Sequence, residues 1–353
     1  MLSLSRVHFG KTHYEVRKLG EGAFGESYLA INKTDADQFR ARLYKTDRSR
    51  MYAELREQLV AVKFSLQQGN PENDGVGIEN EISVLTEALP PEEHPRIIKL
   101  YQCFDDGHIA WLTTKYMTGG DLGDFLELYP EGIPESFIWH VGYQVAAALA
   151  FLFFGAIVSN GMTAQPSANC VCHGDLHAGN LFLGPAKTDG TGFGNYPEIV
   201  LADFGEADWY VSREQAPDAG IVDFLGRHVR DVHDLNIVME ELTNAMMAGG
   251  DCLARDSMLL NVIDRLGTIR NTGPRKVGKQ GLLRALVDFM SIADTERRRL
   301  DNPMSENAVA LIAANKVSDD DLEMIFCRSA GHSRVKKSKL DQTARDWRVT
   351  VAW

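Results

Sequence analysis

Asp175 and Asn180 stand in one short run, His173-Gly174-Asp175-Leu176-His177-Ala178-Gly179-Asn180, and a second acidic turn, Asp203-Phe204-Gly205, follows it. An aspartate at 175 can accept a proton from an attacking hydroxyl. Asn180 and Asp203 offer the hard oxygen ligands that Mg²⁺ prefers, and a magnesium ion held there neutralises charge on a phosphoryl group in transit. The chemistry these residue types suit is phosphoryl transfer, with Asp175 as the base.

Other parts of the chain must position them. Gly20-Glu21-Gly22-Ala23-Phe24-Gly25 follows a strand-like stretch, Tyr14 to Leu19, and its small residues let backbone N–H groups approach phosphate oxygens. A helix would follow such glycines in a dinucleotide-binding domain. Here Ser27-Tyr28-Leu29-Ala30-Ile31 reads as another strand, which predicts a hairpin. Val60-Ala61-Val62-Lys63-Phe64 is an apolar run with one lysine, and a lysine facing inward there needs an anionic partner to offset its burial. Ile78, Ile82, Leu85 and Leu89 recur at helical spacing, which puts Glu81 on a helix that Pro90 and Pro91 stop.

Glycine loop, lysine, glutamate, catalytic run and Asp-Phe-Gly, in that order, resemble the protein kinase superfamily over about residues 14–330. The resemblance implies an α+β, two-lobed fold: an antiparallel N-terminal sheet with one helix, then a mainly helical lobe. It divides the chain into an N-terminal segment (1–13), an N-lobe (14–117), a C-lobe (118–330) and a basic tail (331–353). ATP and Mg²⁺ are the implied cofactors. On the matching positions Glu81 becomes the partner of Lys63, and Asp175, Lys63, Glu81 and Asn180 the catalytic set, with Asn180 and Asp203 on the metal. Gly20, Gly22 and Gly25 lie over the phosphates. Ser27, Ala61 and Phe182 enclose the adenine, where the family usually has valine and leucine at the first and last of these. Thr114 is the gatekeeper, Lys115 and Met117 offer hinge backbone groups, Asp121 is placed for the ribose, and Asp231 for the backbone of the catalytic run.

Several departures bear on the acceptor. Gly174 replaces the usual arginine before the catalytic aspartate, so it cannot pair with a phosphorylated activation loop. Between Asp203 and Asp218 only Tyr210 and Ser212 carry hydroxyls, and Ala216-Pro217-Asp218 stands for the usual Ala-Pro-Glu, with Asp218 expected to pair with Arg298. His177 occupies the position of a lysine in Ser/Thr kinases. His-Gly-Asp-Leu-His-x-Gly-Asn is also similar to the catalytic loops of aminoglycoside- and fructosamine-type phosphotransferases. Three readings stay open: a Ser/Thr protein kinase whose activity needs no activation-loop phosphorylation, a small-molecule phosphotransferase, and a nucleotide-binding pseudokinase scaffold. Gly-Glu-Gly-Ala-Phe-Gly, Val-Ala-Val-Lys and Tyr116-Met117-Thr118-Gly119-Gly120-Asp121-Leu122 favour the first, with a protein as substrate.

Composition sets the remaining bounds. With 353 residues and 44% apolar content the chain can fill two cores, while a net charge of −12 argues against a general nucleic-acid binder. Cys103, Cys170, Cys172, Cys252 and Cys327 are odd in number and scattered, which fits an intracellular protein of the cytoplasm or nucleus. Val141 to Val158 carries no charge over 18 residues, yet site motifs flank it, so it reads as a buried core helix and no membrane association is expected. Three stretches read as inserted loops: Asn32 to Gln58, with a short helix from Arg50 to Leu59, then Ser159 to Asn169, and Lys187 to Pro197. The tail with Arg334, Lys336, Lys337 and Lys339 reads as a solvated segment.

Overall fold

Alternation along the N-terminal strands turns one sheet face into a packed core and the other into the wall of a cleft. In a computed structural model of the protein, β1 (His13–Gly22), β2 (Gly25–Asn32), β3 (Val60–Ser65), β4 (Leu100–Asp105) and β5 (Ala110–Lys115) form one antiparallel sheet in the order β1-β2-β3-β5-β4. The structure describes residues 4–22, 25–65, 77–89, 94–129, 132–158, 162–164, 169–185, 196–211, 218–248, 257–272, 274–300, 304–313 and 317–329. On β3, Val62 and Phe64 cluster with Tyr28, Trp111 and Phe9, the last residue of a short helix, α1 (Leu4–Phe9). Ala61 and Lys63 line the cleft, which Val62 also borders.

The insertion between β2 and β3 contains the short helix expected near Arg50 to Leu59, but the rest of it is not a loop. It forms two helices, α2 (Lys33–Leu43) and α3 (Arg48–Glu57). Asn32 caps α2 by accepting from the Thr34 N–H at 2.8 Å, and Asp47 caps α3 by accepting from Arg50 at 3.0 Å. Dense surface charge hides the buried positions Ala36, Leu43, Met51 and Leu55 in the sequence. The helix carrying Glu81 is α4 (Ile78–Ser83), which continues as a π-helical turn, Val84–Ala88.

The second lobe is mainly helical: α5 (Leu122–Leu128), α6 (Glu135–Phe154), α7 (Asp218–Ala248), α8 (Ser257–Thr272), α9 (Pro274–Leu300, broken at Gly278), α10 (Glu306–Ala313) and α11 (Asp319–Ser329). Helix α6 is long and apolar enough to cross a membrane, but 89% of its most apolar window is buried inside the protein. Gly155, at φ +63°, ends it. Three two-stranded ladders complete this lobe: β6 (Ala156–Val158) with β7 (Met162–Ala164), β8 (Asn169–Cys172) with β11 (Asp208–Val211), and β9 (Leu181–Gly184) with β10 (Glu198–Leu201). This is the two-lobed α+β arrangement. The second insertion is not all loop, since β7 falls within it; its parts at 159–161 and 165–168, that of the third at 187–195, and the tail from 330 lie outside the described residues.

Chain order alone would leave α11 with the helical lobe, yet it packs on the sheet side. Val317, Leu322, Ile325 and Phe326 join Val16, Leu29 and Ile31 of β1 and β2, and Leu43, Met51 and Leu55 of the insertion, in one buried cluster. Tyr52 and Tyr44 donate to the Glu323 carboxylate at 2.7 and 3.1 Å, and Arg56 donates to the Val317 carbonyl at 3.0 Å. Just before it, the Ile312 carbonyl accepts from Thr118 Oγ1 at 3.2 Å, on the segment joining the lobes.

Candidate active site

A cleft of about 630 Å³ separates the sheet from the helical lobe. Lys63, on its β3 wall, places Nζ 2.8 Å from Glu81 Oε2 and 2.6 Å from Asp203 Oδ1. Glu81 is only 3% exposed. Burial opposes the Lys63 charge, but the two carboxylates outweigh it and hold its pKa above the ordinary range. Burial pushes Glu81 upward, opposed by Lys63 and by the backbone N–H of Phe204. The inward lysine thus has two anionic partners, one from each lobe.

The loop bearing Asp175 is held from behind. Asp231, fully buried on α7, accepts from the His173 N–H at 2.8 Å and the Gly174 N–H at 2.9 Å. Burial pushes its carboxyl up to about 7, against the pull of those two donors. His173 is buried too, which lowers its pKa, and its ring spans the loop from the Ala202 carbonyl at 3.0 Å to the Asp175 N–H at 3.3 Å. Asn180 Nδ2 donates to the Asp175 carbonyl at 2.9 Å and to Asp175 Oδ2 at 3.2 Å. Contact with His177, and secondarily with Asn180, holds the Asp175 pKa below the usual carboxylate range; Asp175 in turn raises His177. Gly174 has φ +82°, and a Cβ on it would lie 2.6 Å from the Glu206 carbonyl oxygen. Space for the chain after Asp203, as well as backbone conformation, requires glycine there.

Asp203 itself sits at φ +62°, an uncommon conformation for a residue with a side chain. Phe204 is fully buried beside His173. Two contacts that sequence reasoning missed hold this turn. Asn80 Nδ2 on α4 donates to the Ala207 carbonyl at 2.7 Å and the Gly205 carbonyl at 3.2 Å, and the Gly77 N–H donates to the Gly205 carbonyl at 2.9 Å. Both partners are backbone carbonyls, which leave no mark in the residue types. Farther along, Arg227 pairs with Asp208. Arg298 donates to Asp294 at 2.9 Å, while Ser212, Ala216, Pro217 and the side chain of Asp218 lie outside the described residues.

Known proteins share this arrangement in sequence. The family described as "Protein kinase domain" matches residues 14–224, more than half of the chain. The chain belongs to the protein kinase family. A probable serine/threonine-protein kinase of Dictyostelium discoideum is 27% identical over 146 residues, 41% of this chain and 19% of that protein. Serine/threonine-protein kinase ULK3 of Xenopus laevis is 28% identical over 205 residues, 57% of this chain and 33% of that protein. The kinase chain therefore spans about a fifth to a third of the length of these curated relatives.

Gly20, Gly22, Ser27, Ala61, Thr114, Lys115, Met117, Asp121 and Phe182 all line the kinase cleft, with Leu19, Ile98, Leu112 and Ala202 as apolar wall residues that no motif marked. Gly25 does not line it; a Cβ there would meet the Phe64 carbonyl oxygen at 2.2 Å, so the neighbouring strand demands that glycine. Gly20 and Gly22 differ, since a Cβ on either would meet nothing within 4 Å. No described residue packs against either glycine there. Ala23 and Phe24, at the loop tip, lie outside the described residues. Lys115 sends its side chain to Glu198, 2.6 Å away, and Asp121 caps α5 by accepting from Asp124 at 2.8 Å.

Magnesium and ATP, which the family implies, suit this donor set. Among the described residues no group of three or more His, Cys, Asp or Glu side chains forms a ready-made metal cage. Magnesium does not require one, since it keeps waters and takes substrate phosphates beside one or two protein oxygens. With Asn180 Nδ2 engaged by Asp175, its Oδ1 is the amide atom left for a cation, in the same cleft as Asp203.

Proposed function

We propose that this kinase transfers a phosphoryl group from ATP, with Mg²⁺, to Ser/Thr hydroxyls of proteins, and does so without activation-loop phosphorylation. One observation carries the reading: Lys63 stands between Glu81 and Asp203, 2.8 and 2.6 Å away, across one cleft from the Asp175–Asn180 loop. In this reading Lys63, steadied by Glu81, binds the phosphates under Gly20 and Gly22; Asn180 and Asp203 hold the metal; Asp175 takes the hydroxyl proton. Bound magnesium supplies charge neutralisation at the transferring phosphate. Ala61, Ser27 and Phe182 enclose the adenine, backbone groups of Lys115 and Met117 orient it, and Asp121 reaches the ribose. Residues 14–117 and 118–313 would act as the two lobes, with α11 packed on the first of them.

Independence from loop phosphorylation is supported by what holds the site together. The Lys63–Glu81 pair is formed, and Asn80 binds the segment after Asp203 directly. Gly174 offers no guanidinium to a phosphate. The partner is a protein substrate inside the cell, in cytoplasm or nucleus, a reading that the odd number and scatter of the five cysteines supports.

Purified protein, labelled ATP, Mg²⁺ and a mixed Ser/Thr peptide library test the reading. Peptide labelling that survives phosphatase pretreatment is the expected result. A large loss after dephosphorylation mapping to Tyr210 or Ser212 would defeat the independence. His177, which lines the cleft where Ser/Thr kinases carry lysine, favours a second reading, a small-molecule phosphotransferase. Labelling of small polyols or amines in place of peptides selects that reading, and nucleotide binding without turnover selects a pseudokinase.

A further inference from the structure

A histidine and a glycine in the catalytic loop form a unit whose geometry ends on the proton acceptor. The Gly179 N–H donates to His177 Nδ1 at 3.1 Å, so the neutral ring carries its proton on Nε2. That Nε2 lies 3.4 Å from Asp175 Oδ2, the same oxygen that Asn180 Nδ2 reaches at 3.2 Å. Ring placement depends on the bareness of Gly179: a Cβ there would fall 2.9 Å from His177 Cε1 and 3.0 Å from Nδ1. A lysine, which has no acceptor atom, could not take the Gly179 N–H and so could not reproduce the unit.

Resting on the transfer proposed above, we infer that His177, locked by Gly179, is a positioning residue that holds Oδ2 of Asp175 and leaves Oδ1 to receive the substrate proton. In that step the hydroxyl oxygen bonds the terminal phosphorus of the nucleotide, and the bond to the departing nucleoside diphosphate breaks. The hydroxyl proton passes to Asp175 Oδ1. Two donors on one carboxylate oxygen fix the rotation of the group, and with it the direction from which a proton is accepted.

The competing view is that His177 only caps the turn Ala178–Asn180 through its Nδ1. Two variants separate the views. His177→Asn keeps an acceptor near the Nδ1 position, and hence the cap, but cannot reach Asp175. His177→Gln puts a donor near the Nε2 position and keeps the reach without the cap. Turnover is measured on the mixed Ser/Thr peptide library at saturating Mg-ATP. His177→Asn should lower kcat by roughly 10–100-fold with little change in KM for ATP, the scale expected when a reacting group is misplaced by up to about 1 Å. His177→Gln should recover most of that loss. The opposite order would overturn the positioning role.

A readout without turnover covers the unliganded protein. In ¹⁵N-histidine NMR, His177 should show the Nε2–H tautomer, and Asp175→Asn should move its Nε2 resonance while Nδ1 stays. An Nδ1–H tautomer, or an Nε2 signal blind to Asp175→Asn, would overturn the lock even if the kinase is active. Should the wild-type protein turn over no peptide, the proposed activity fails while this measurement still decides the His177–Asp175 contact.

Discussion

The side-chain amide of Asn80 donates to the backbone carbonyl of Ala207 at 2.7 Å. The residue beside Glu81 therefore grips the chain beyond Asp203, so the helix that supplies one partner of Lys63 and the turn that supplies the other are joined directly. Asn80→Ala should strand the carbonyl of Ala207, while that of Gly205 keeps the Gly77 N–H, at a cost of about 1–3 kcal/mol for a buried acceptor left unpaired. It should also weaken Mg-ATP binding, because Lys63 would lose its fixed position between two carboxylates. Urea unfolding and calorimetric titration with Mg-ATP check both effects. Wild-type nucleotide affinity in the variant would show that the latch is structural only.

Asp175 and Asp203 lie in one site with separable tasks. Asp175→Asn removes the proton acceptor and should reduce turnover about 10²–10⁴-fold, the range for a general base, with nucleotide affinity nearly kept. Asp203→Asn should act in reverse order, loosening magnesium-dependent nucleotide binding first. Steady-state kinetics beside equilibrium binding, both with varied Mg²⁺, distinguishes the two. Variants that phosphorylate as fast as wild type would remove these residues from the mechanism.

His94 provides a pH signature that activity does not enter. Burial, then the charge of Arg96, lowers its folded pKa to about 4 from 6.5. A depressed value means the unfolded chain binds the proton first as pH falls, so this contribution is complete above 6.5 and is lost on the way down to 4. Asp231 pulls the other way, because its raised pKa keeps a proton on the native state up to about 7. The test is therefore a difference between proteins. His94→Gln removes only the first contribution, so wild type should lose more stability between pH 7 and pH 5 than the variant does in urea melts. Equal losses would contradict the buried neutral imidazole.

Lys63, Asp175, Asn180 and Asp203 were legible because each sits in a local run whose neighbours announce it; helical spacing put Glu81 on a helix, and only the resemblance made it the partner of Lys63. Asp231 came only through resemblance, since an aspartate inside a long helix says nothing about the two amides it serves. Asn80 and Gly77 were illegible for a different reason: they act through backbone carbonyls about 125 positions away. Within the insertion α3 was expected but α2 was read as loop, because Arg42, Arg50 and Glu54 crowd its surface. Its apolar residues look sparse until α11, far along the chain, supplies the surface they pack against. Contact between segments so distant leaves no periodicity to read.

That distant contact yields the last prediction. Phe326 on α11 is 1% exposed, in a cluster shared by the N-terminal sheet and both insertion helices. Truncating it should cost about 3–5 kcal/mol if the surroundings cannot collapse onto the space left behind. How that loss is distributed tells whether α11 merely docks or completes the lobe. Among the described residues Leu43, Met51 and Leu55 bury their side chains in this cluster and in no other, so without α11 the insertion helices would expose an apolar face. Hydrogen exchange on Phe326→Ala should therefore show lost protection in α2, α3 and β1 together with α11, while α6, inside the other lobe's core, stays protected. Loss confined to α11 would mean that the insertion stands by itself and α11 is an appendage. Coordinated loss would make the C-terminal helix a structural part of the lobe that carries Lys63.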